Sequence, residues 1–137
     1  LGMDEGPIIS QTKLPLSSKI TKPELFDILA HNGGKLLAES LVPWINNEIT
    51  PHEQSHAHAS YCKKLSKEDA NITHDDDQTR DRKYRAFYGW PGSFIMDADT
   101  RLKITRARFE NGKFIIEGVI PAGKNEMDYK QYLNNNK

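Results

Sequence analysis

Leu102-Lys103-Ile104-Thr105-Arg106-Ala107-Arg108-Phe109-Glu110-Asn111-Gly112-Lys113-Phe114-Ile115-Ile116-Glu117-Gly118-Val119-Ile120 reads as a β-hairpin. Leu102-Lys103-Ile104 alternates with the period of two expected of a half-buried strand. Ala107 and Phe109 continue that alternation only if one residue is inserted near Thr105-Arg106, the slip that a β-bulge produces. Asn111-Gly112 is a strong turn signal, because both central positions of a type I′ turn need positive φ. Phe114 to Ile120 is the best strand of the chain. Short strands with Pro-Gly and Asn-Gly turns predict a mainly β fold, a small antiparallel barrel, with an oligonucleotide-binding fold as one option.

Upstream, residues 1–20 read as an extended leader. Pro7 and Pro15 remove backbone donors and bias the residues before them away from helix. Ile8-Ile9-Ser10-Gln11 and Leu14-Pro15-Leu16 offer at most one edge strand. Thr21-Lys22-Pro23-Glu24 is a helix start, with Thr21 as cap, Glu24 reaching back and Pro23 in the first turn. Leu25, Ile28, Leu29, Leu36, Leu37 and Leu41 then recur at helical spacing. Gly33-Gly34 predicts two short helices or one with a weak joint, and Pro43 ends the pattern. The expected organisation is leader 1–20, helical linker 21–50 and barrel 51–137. Within the barrel, a short helix is expected from Met127 to Leu133.

The chain has 137 residues, of which 36% are apolar and 28% charged. That composition and a mean hydropathy of -0.71 leave room for one modest core and considerable loop. Nineteen basic and nineteen acidic side chains cancel, which argues against non-specific coating of nucleic acid. No uncharged apolar run approaches membrane-spanning length. The N-terminus lacks the basic and apolar regions of a secretory signal. It starts at Leu1 rather than Met, so a fragment or a processed chain is expected. The single Cys62 excludes an intrachain disulfide, reads as a buried, inert thiol, and fits a reducing, cytoplasmic setting.

His52, His56 and His58 cluster, and in a strand His56 and His58 share a face, yet no third ligand follows at metal-site spacing; no metal is expected. Asp75-Asp76-Asp77 lacks the alternation and the glycine of a calcium loop and reads as a solvated turn. The cations say more. Arg80, Arg82, Lys83 and Arg85 precede Trp90-Pro91-Gly92, and Arg101, Lys103, Arg106 and Arg108 follow it, against only Asp81, Asp97 and Asp99. Paired as neighbouring strands, the two stretches make one positive face interleaved with Tyr84, Phe87, Tyr88 and Trp90. That face suits phosphate contacts with base stacking. Equally, the aromatics are core and the charges a solubilising rim.

Several segments together resemble the methionyl-tRNA formyltransferase family. Met3-Asp4-Glu5-Gly6-Pro7-Ile8-Ile9 with Leu14-Pro15-Leu16 is similar to the last motif of the folate-dependent formyltransferase domain. Thr21-x-x-Glu24-Leu25, Leu29-Ala30 and Gly34-x-Leu36-Leu37 resemble the linker helix that leaves it. Ala59 to Ala70 resembles the strand that opens the C-terminal domain. Arg85-Ala86-Phe87, Trp90-Pro91-Gly92, Leu102-Lys103-Ile104 and Pro121-Ala122-Gly123-Lys124 follow in family order.

The resemblance implies that residues 1–20 are a remnant of the N-terminal catalytic domain and that the barrel helps to hold initiator methionyl-tRNA. In the parent enzyme the formyl donor is 10-formyltetrahydrofolate; this chain itself is expected to hold no cofactor. Of the family's catalytic asparagine, histidine and aspartate, only the aspartate has a counterpart, Asp4. No transferase activity is therefore expected of the chain alone. The expected tRNA contacts are Arg82, Lys83, Arg85, Arg101, Lys103, Arg106 and Arg108, in a monomer whose partners are the tRNA and the missing N-terminal domain. Two rivals remain: the C-terminal domain of another folate-dependent formyltransferase, and a stand-alone barrel that stacks single-stranded nucleic acid on Phe87, Tyr88 or Trp90.

Overall fold

The computed structural model describes residues 2–136; Leu1 and Lys137, the outer ends of the leader and barrel segments, lie outside the described residues. The chain divides into two compact units, residues 1–20 with 24–64, and residues 21–23 with 65–137.

In the first unit the leader forms no full strand. It makes one antiparallel bridge, in which Ile8 and His52 exchange N–H···O bonds of 2.8 and 2.9 Å. Gln54 Nε2 ties it further, donating to the carbonyls of Asp4 at 2.9 Å and Gly6 at 2.7 Å. Helix α1, Lys22–Ile45, runs unbroken through Gly33-Gly34, so one linker helix forms rather than two. It also passes Pro43. A proline in the last turn forfeits one hydrogen bond, and the end is closed instead by Asn47 at φ 59 and by Glu48 N donating to Pro43 O at 2.9 Å. His56 and His58 sit in a 3-10 turn rather than a strand. Cys62, expected to be buried, is exposed, because no core is built around it.

The second unit carries the sheet. Residues 59–66 form no strand; the segment expected to open the domain with one instead leads into a 3-10 turn at Glu68–Ala70. Asn71 then makes a single parallel bridge to Phe94. Helix α2 spans Asp77–Ala86, so the reading in which this basic stretch pairs as a strand does not hold. Four antiparallel strands follow: β1 Phe94–Asp97, β2 Thr100–Glu110, β3 Lys113–Pro121 and β4 Met127–Asp128, in that spatial order. No pairing among the described residues joins β4 to β1, so the sheet is open and the expected barrel closure is not formed. Helix α3, Tyr129–Asn135, starts two residues later than expected, because Met127 and Asp128 pair with Val119 and Gly118 first.

The β2–β3 hairpin has the anticipated turn, with Asn111 at φ 52 and Gly112 at φ 76 between Glu110 and Lys113. Its register slips between Ile104 and Arg106 and again before Ala107, where the alternation breaks in the sequence. The slip keeps Ile104 and Ala107 on the core side. Ile72, Ile95, Leu102, Ile104, Phe114, Val119 and Tyr132 form that core, each buried apolar side chain contributing roughly 1.5–3 kcal/mol.

Candidate nucleic-acid interface

The seven cations singled out in the sequence fall into two groups. Arg82, Lys83 and Arg85 lie on α2, not on a strand beside β2. Asp76 caps that helix: its carboxylate accepts from Thr79 N at 2.9 Å and from Thr79 Oγ1 at 2.8 Å. These two bonds, backbone first, hold its pKa below the usual aspartate range. Asp77 accepts from Phe114 N at 3.1 Å and from Lys113 Nζ at 3.2 Å, which lowers its pKa likewise and pins the helix to β3. The expected solvated acidic turn is therefore a structural joint. Lys83 and Arg85 sit in the last turn, where positive charge opposes the helix dipole. Each also has an acid, Lys83 with Asp75 at 2.8 Å and Arg85 with Asp81 at 3.0 Å. Arg82 is exposed and donates to Thr79 Oγ1 at 3.0 Å.

Arg101, Lys103, Arg106 and Arg108 share one side of β2, because the bulge at Thr105 restores their alternation opposite Leu102 and Ile104. Their environments differ. Arg101 lies over the buried Phe94 ring, 3.8 Å from its centroid. Arg106 donates to Asp128 at 2.6 Å and Glu126 at 3.3 Å, partners that raise its pKa further. Arg108 pairs with Glu110 at 3.1 Å and, through Nη1, with Glu117. The Lys103 ammonium makes no hydrogen bond or ion pair among the described residues, although its backbone is paired in the sheet. The strand thus presents four cations in a row, of which two are already matched to carboxylates.

The aromatics divide in the same way. Tyr84 packs on the core, its ring edge-on to Phe114 at 5.6 Å and its hydroxyl donating to Thr105 O at 3.3 Å; burial raises its pKa. Tyr88 and Trp90 are exposed, so both readings of the aromatic set apply, each to different residues.

No protein-family model matches the chain. Curated relatives do. A methionyl-tRNA formyltransferase of Campylobacter curvus is 30% identical over 97% of this chain and 50% of its own length. One from Roseiflexus castenholzii is 36% identical over 81% of this chain and 36% of its own length. The chain is homologous to part of a methionyl-tRNA formyltransferase. It spans about half the length of the Campylobacter relative, or less of others such as that of Herminiimonas arsenicoxydans, 34% identical over 79% of this chain and 34% of its own length. Among solved structures, methionyl-tRNA formyltransferase from Clostridium thermocellum superposes on 93% of this chain and 52% of its own, with TM-score 0.58 and 22% identity, a likeness of fold.

Asp4 is exposed at φ 62, and its carboxylate makes no hydrogen bond or ion pair among the described residues. A cavity of about 500 Å³ in the same unit is lined by Pro7, Ile8, Leu36, Leu37, Leu41 and Trp44, and its Ser10 and Ser40 hydroxyls bond each other at 2.8 Å. That lining is mostly apolar and carries no charged side chain, so no step of formyl transfer is derived from this chain. Among the described residues no three His, Cys, Asp or Glu side chains gather as a metal site requires, and no helix is long and apolar enough to cross a membrane.

Proposed function

We propose that the chain is the linker and C-terminal tRNA-docking part of a methionyl-tRNA formyltransferase. The complete enzyme transfers a formyl group from 10-formyltetrahydrofolate to initiator methionyl-tRNA in the cytoplasm. The observation that carries this reading is the match of nearly the whole chain to about half of a protein bearing that name. Residues 1–20 are then the remnant of the catalytic domain, 21–50 the linker and 51–137 the C-terminal domain. Asp4 is the one catalytic group retained, idle without the asparagine and histidine it serves.

In this reading the open sheet is an oligonucleotide-binding-like platform. Arg101, Lys103, Arg106 and Arg108 on β2, with Arg82, Lys83 and Arg85 on α2, meet tRNA phosphates and fix its orientation without reading sequence. Lys103 is ready to do so, whereas Arg106 and Arg108 must exchange a carboxylate for a phosphate. The absent N-terminal half covers α1, which buries no residue and leaves Phe26, Leu37, Val42 and Ile45 exposed. The chain alone is a monomer without transferase activity.

The test is direct titration of the 137-residue chain with initiator methionyl-tRNA over a salt series, with a formylation assay beside it. Expected are binding that weakens steeply with salt and no formyl transfer. Salt-independent binding, or turnover, overturns the reading.

A further inference from the structure

In the sheet unit a cavity of about 230 Å³ is walled by Tyr84, Tyr88, Gly92, Ser93, Lys103 and Thr105. Three of its features are unexplained by the fold. Lys103 is the one β2 cation with neither a carboxylate nor an aromatic ring against its charge among the described residues. Its stem fills the space a side chain at Gly92 would take: a Cβ there would stand 2.9 Å from Lys103 Cε. Gly92, at φ 81, therefore both makes the turn and lets the lysine lie along the cavity wall. Second, Tyr88 is 47% exposed yet braced, its ring edge-on to Tyr84 at 6.0 Å. Third, Ser93 is 2% exposed and its Oγ is buried without a hydrogen-bond partner among the described residues. A buried hydroxyl left unpaired is costly, and a polar group from outside the chain would relieve that cost.

An ammonium, a braced half-exposed ring and an unpaired hydroxyl around one small cavity is the chemistry that recognises a nucleotide. Amines hold phosphate, aromatic rings stack bases, and hydroxyls bond base or ribose edges. We propose that this cavity captures a single unstacked nucleotide of the docked RNA, its base on the Tyr88 ring, a phosphate on Lys103 Nζ and a polar edge on Ser93 Oγ. The volume is below the roughly 300–1,000 Å³ of pockets that enclose drug-sized ligands, so the site is an open seat for part of one nucleotide rather than an enclosing pocket. The inference rests on the tRNA-docking reading for the identity of the RNA, though not for the site itself.

The test has two arms on the 137-residue chain. In the first, Tyr88→Ala weakens binding of initiator tRNA roughly fivefold or more at unchanged salt slope, and Tyr88→Trp restores it. Lys103→Gln lowers the slope by about one unit. Ser93→Ala weakens binding while raising the thermal midpoint, because it deletes the orphaned hydroxyl; a merely structural serine would not separate the two. In the second arm, adenosine 5′-monophosphate shifts the NMR signals of Gly89, Gly92 and Ser93 in the wild type and not in Tyr88→Ala, and inorganic phosphate alone does not reproduce the pattern. Wild-type tRNA affinity in Tyr88→Ala and Ser93→Ala, with scattered nucleotide shifts, overturns the pocket and leaves the docking reading standing. Cavity-centred nucleotide shifts without any tRNA binding do the reverse.

Discussion

Arg106 Nη2 donates to Asp128 Oδ1 at 2.6 Å, so the guanidinium most central to the basic strand is held by the chain's own acid. Glu126 takes its Nε at 3.3 Å. A phosphate must displace these partners before it gains from Arg106, while at Lys103 it meets no competitor. Lys103→Gln should therefore lower the salt slope of tRNA binding by about one unit, and Arg106→Gln by clearly less. Replacing both carboxylates, Glu126→Gln with Asp128→Asn, should steepen the slope. A full unit lost at Arg106 and none at Lys103 would show the assignment inverted.

The space that lets Arg106 reach those acids comes from Gly118. A Cβ there would lie 2.8 Å from Arg106 Nε and 2.7 Å from Thr105 Oγ1. Gly118→Ala should overpack the bulge and destabilise the sheet unit by roughly 1–3 kcal/mol. Denaturant unfolding measures the loss, and NMR of the arginine side chain should show it leave Asp128. Unchanged stability would mean that the bulge gives way freely.

The hairpin and its bulge were legible because both are local: the turn needs two positive φ values at adjacent residues, and the slip shows as broken alternation over five. The basic face was only half legible. Arg101 to Arg108 do line one side of a strand, but Arg82, Lys83 and Arg85 belong to a helix. Its start was written in Asp76-x-x-Thr79, a side-chain cap that the consecutive aspartates obscured. Strand β1 left little trace, being four residues long and followed by Ala98 at φ 48, a turn position that alanine does not advertise. The carboxylates that occupy Arg106 lie twenty and more residues away, and no sequence period reports such pairing. Barrel closure likewise depends on which edges meet, not on the strength of any one strand.

Acid should loosen the α2–β3 joint. Asp77 ionises below its ordinary range because Phe114 N–H, then Lys113, stabilise its charge, and Asp76 does so through Thr79. A carboxyl whose folded pKa is depressed adds stability that is complete above its unfolded value of about 3.9 and is lost as pH falls through the folded one. Asp77→Asn keeps an acceptor for Phe114 N and gives up the charge. Its deficit against wild type in urea unfolding should be full at pH 6–7 and shrink below about pH 4. A deficit constant with pH would mean that the charge at Asp77 does not contribute.

Leucines of the two units should respond very unequally to truncation. Leu102 is fully buried between β1 and β3, so Leu102→Ala should cost about 2–5 kcal/mol, the transfer term plus a cavity. Leu37 on α1 is 63% exposed, and Leu37→Ala in this chain should stay within about 0.5 kcal/mol. In the complete enzyme the same Leu37→Ala should become destabilising, because the proposed catalytic half buries that face. The comparison turns on context, not on the side chain: one substitution, two lengths of protein, and a loss that appears only in the longer one. An equal, negligible effect in both lengths would leave the exposed leucines of α1 without the partner assigned to them.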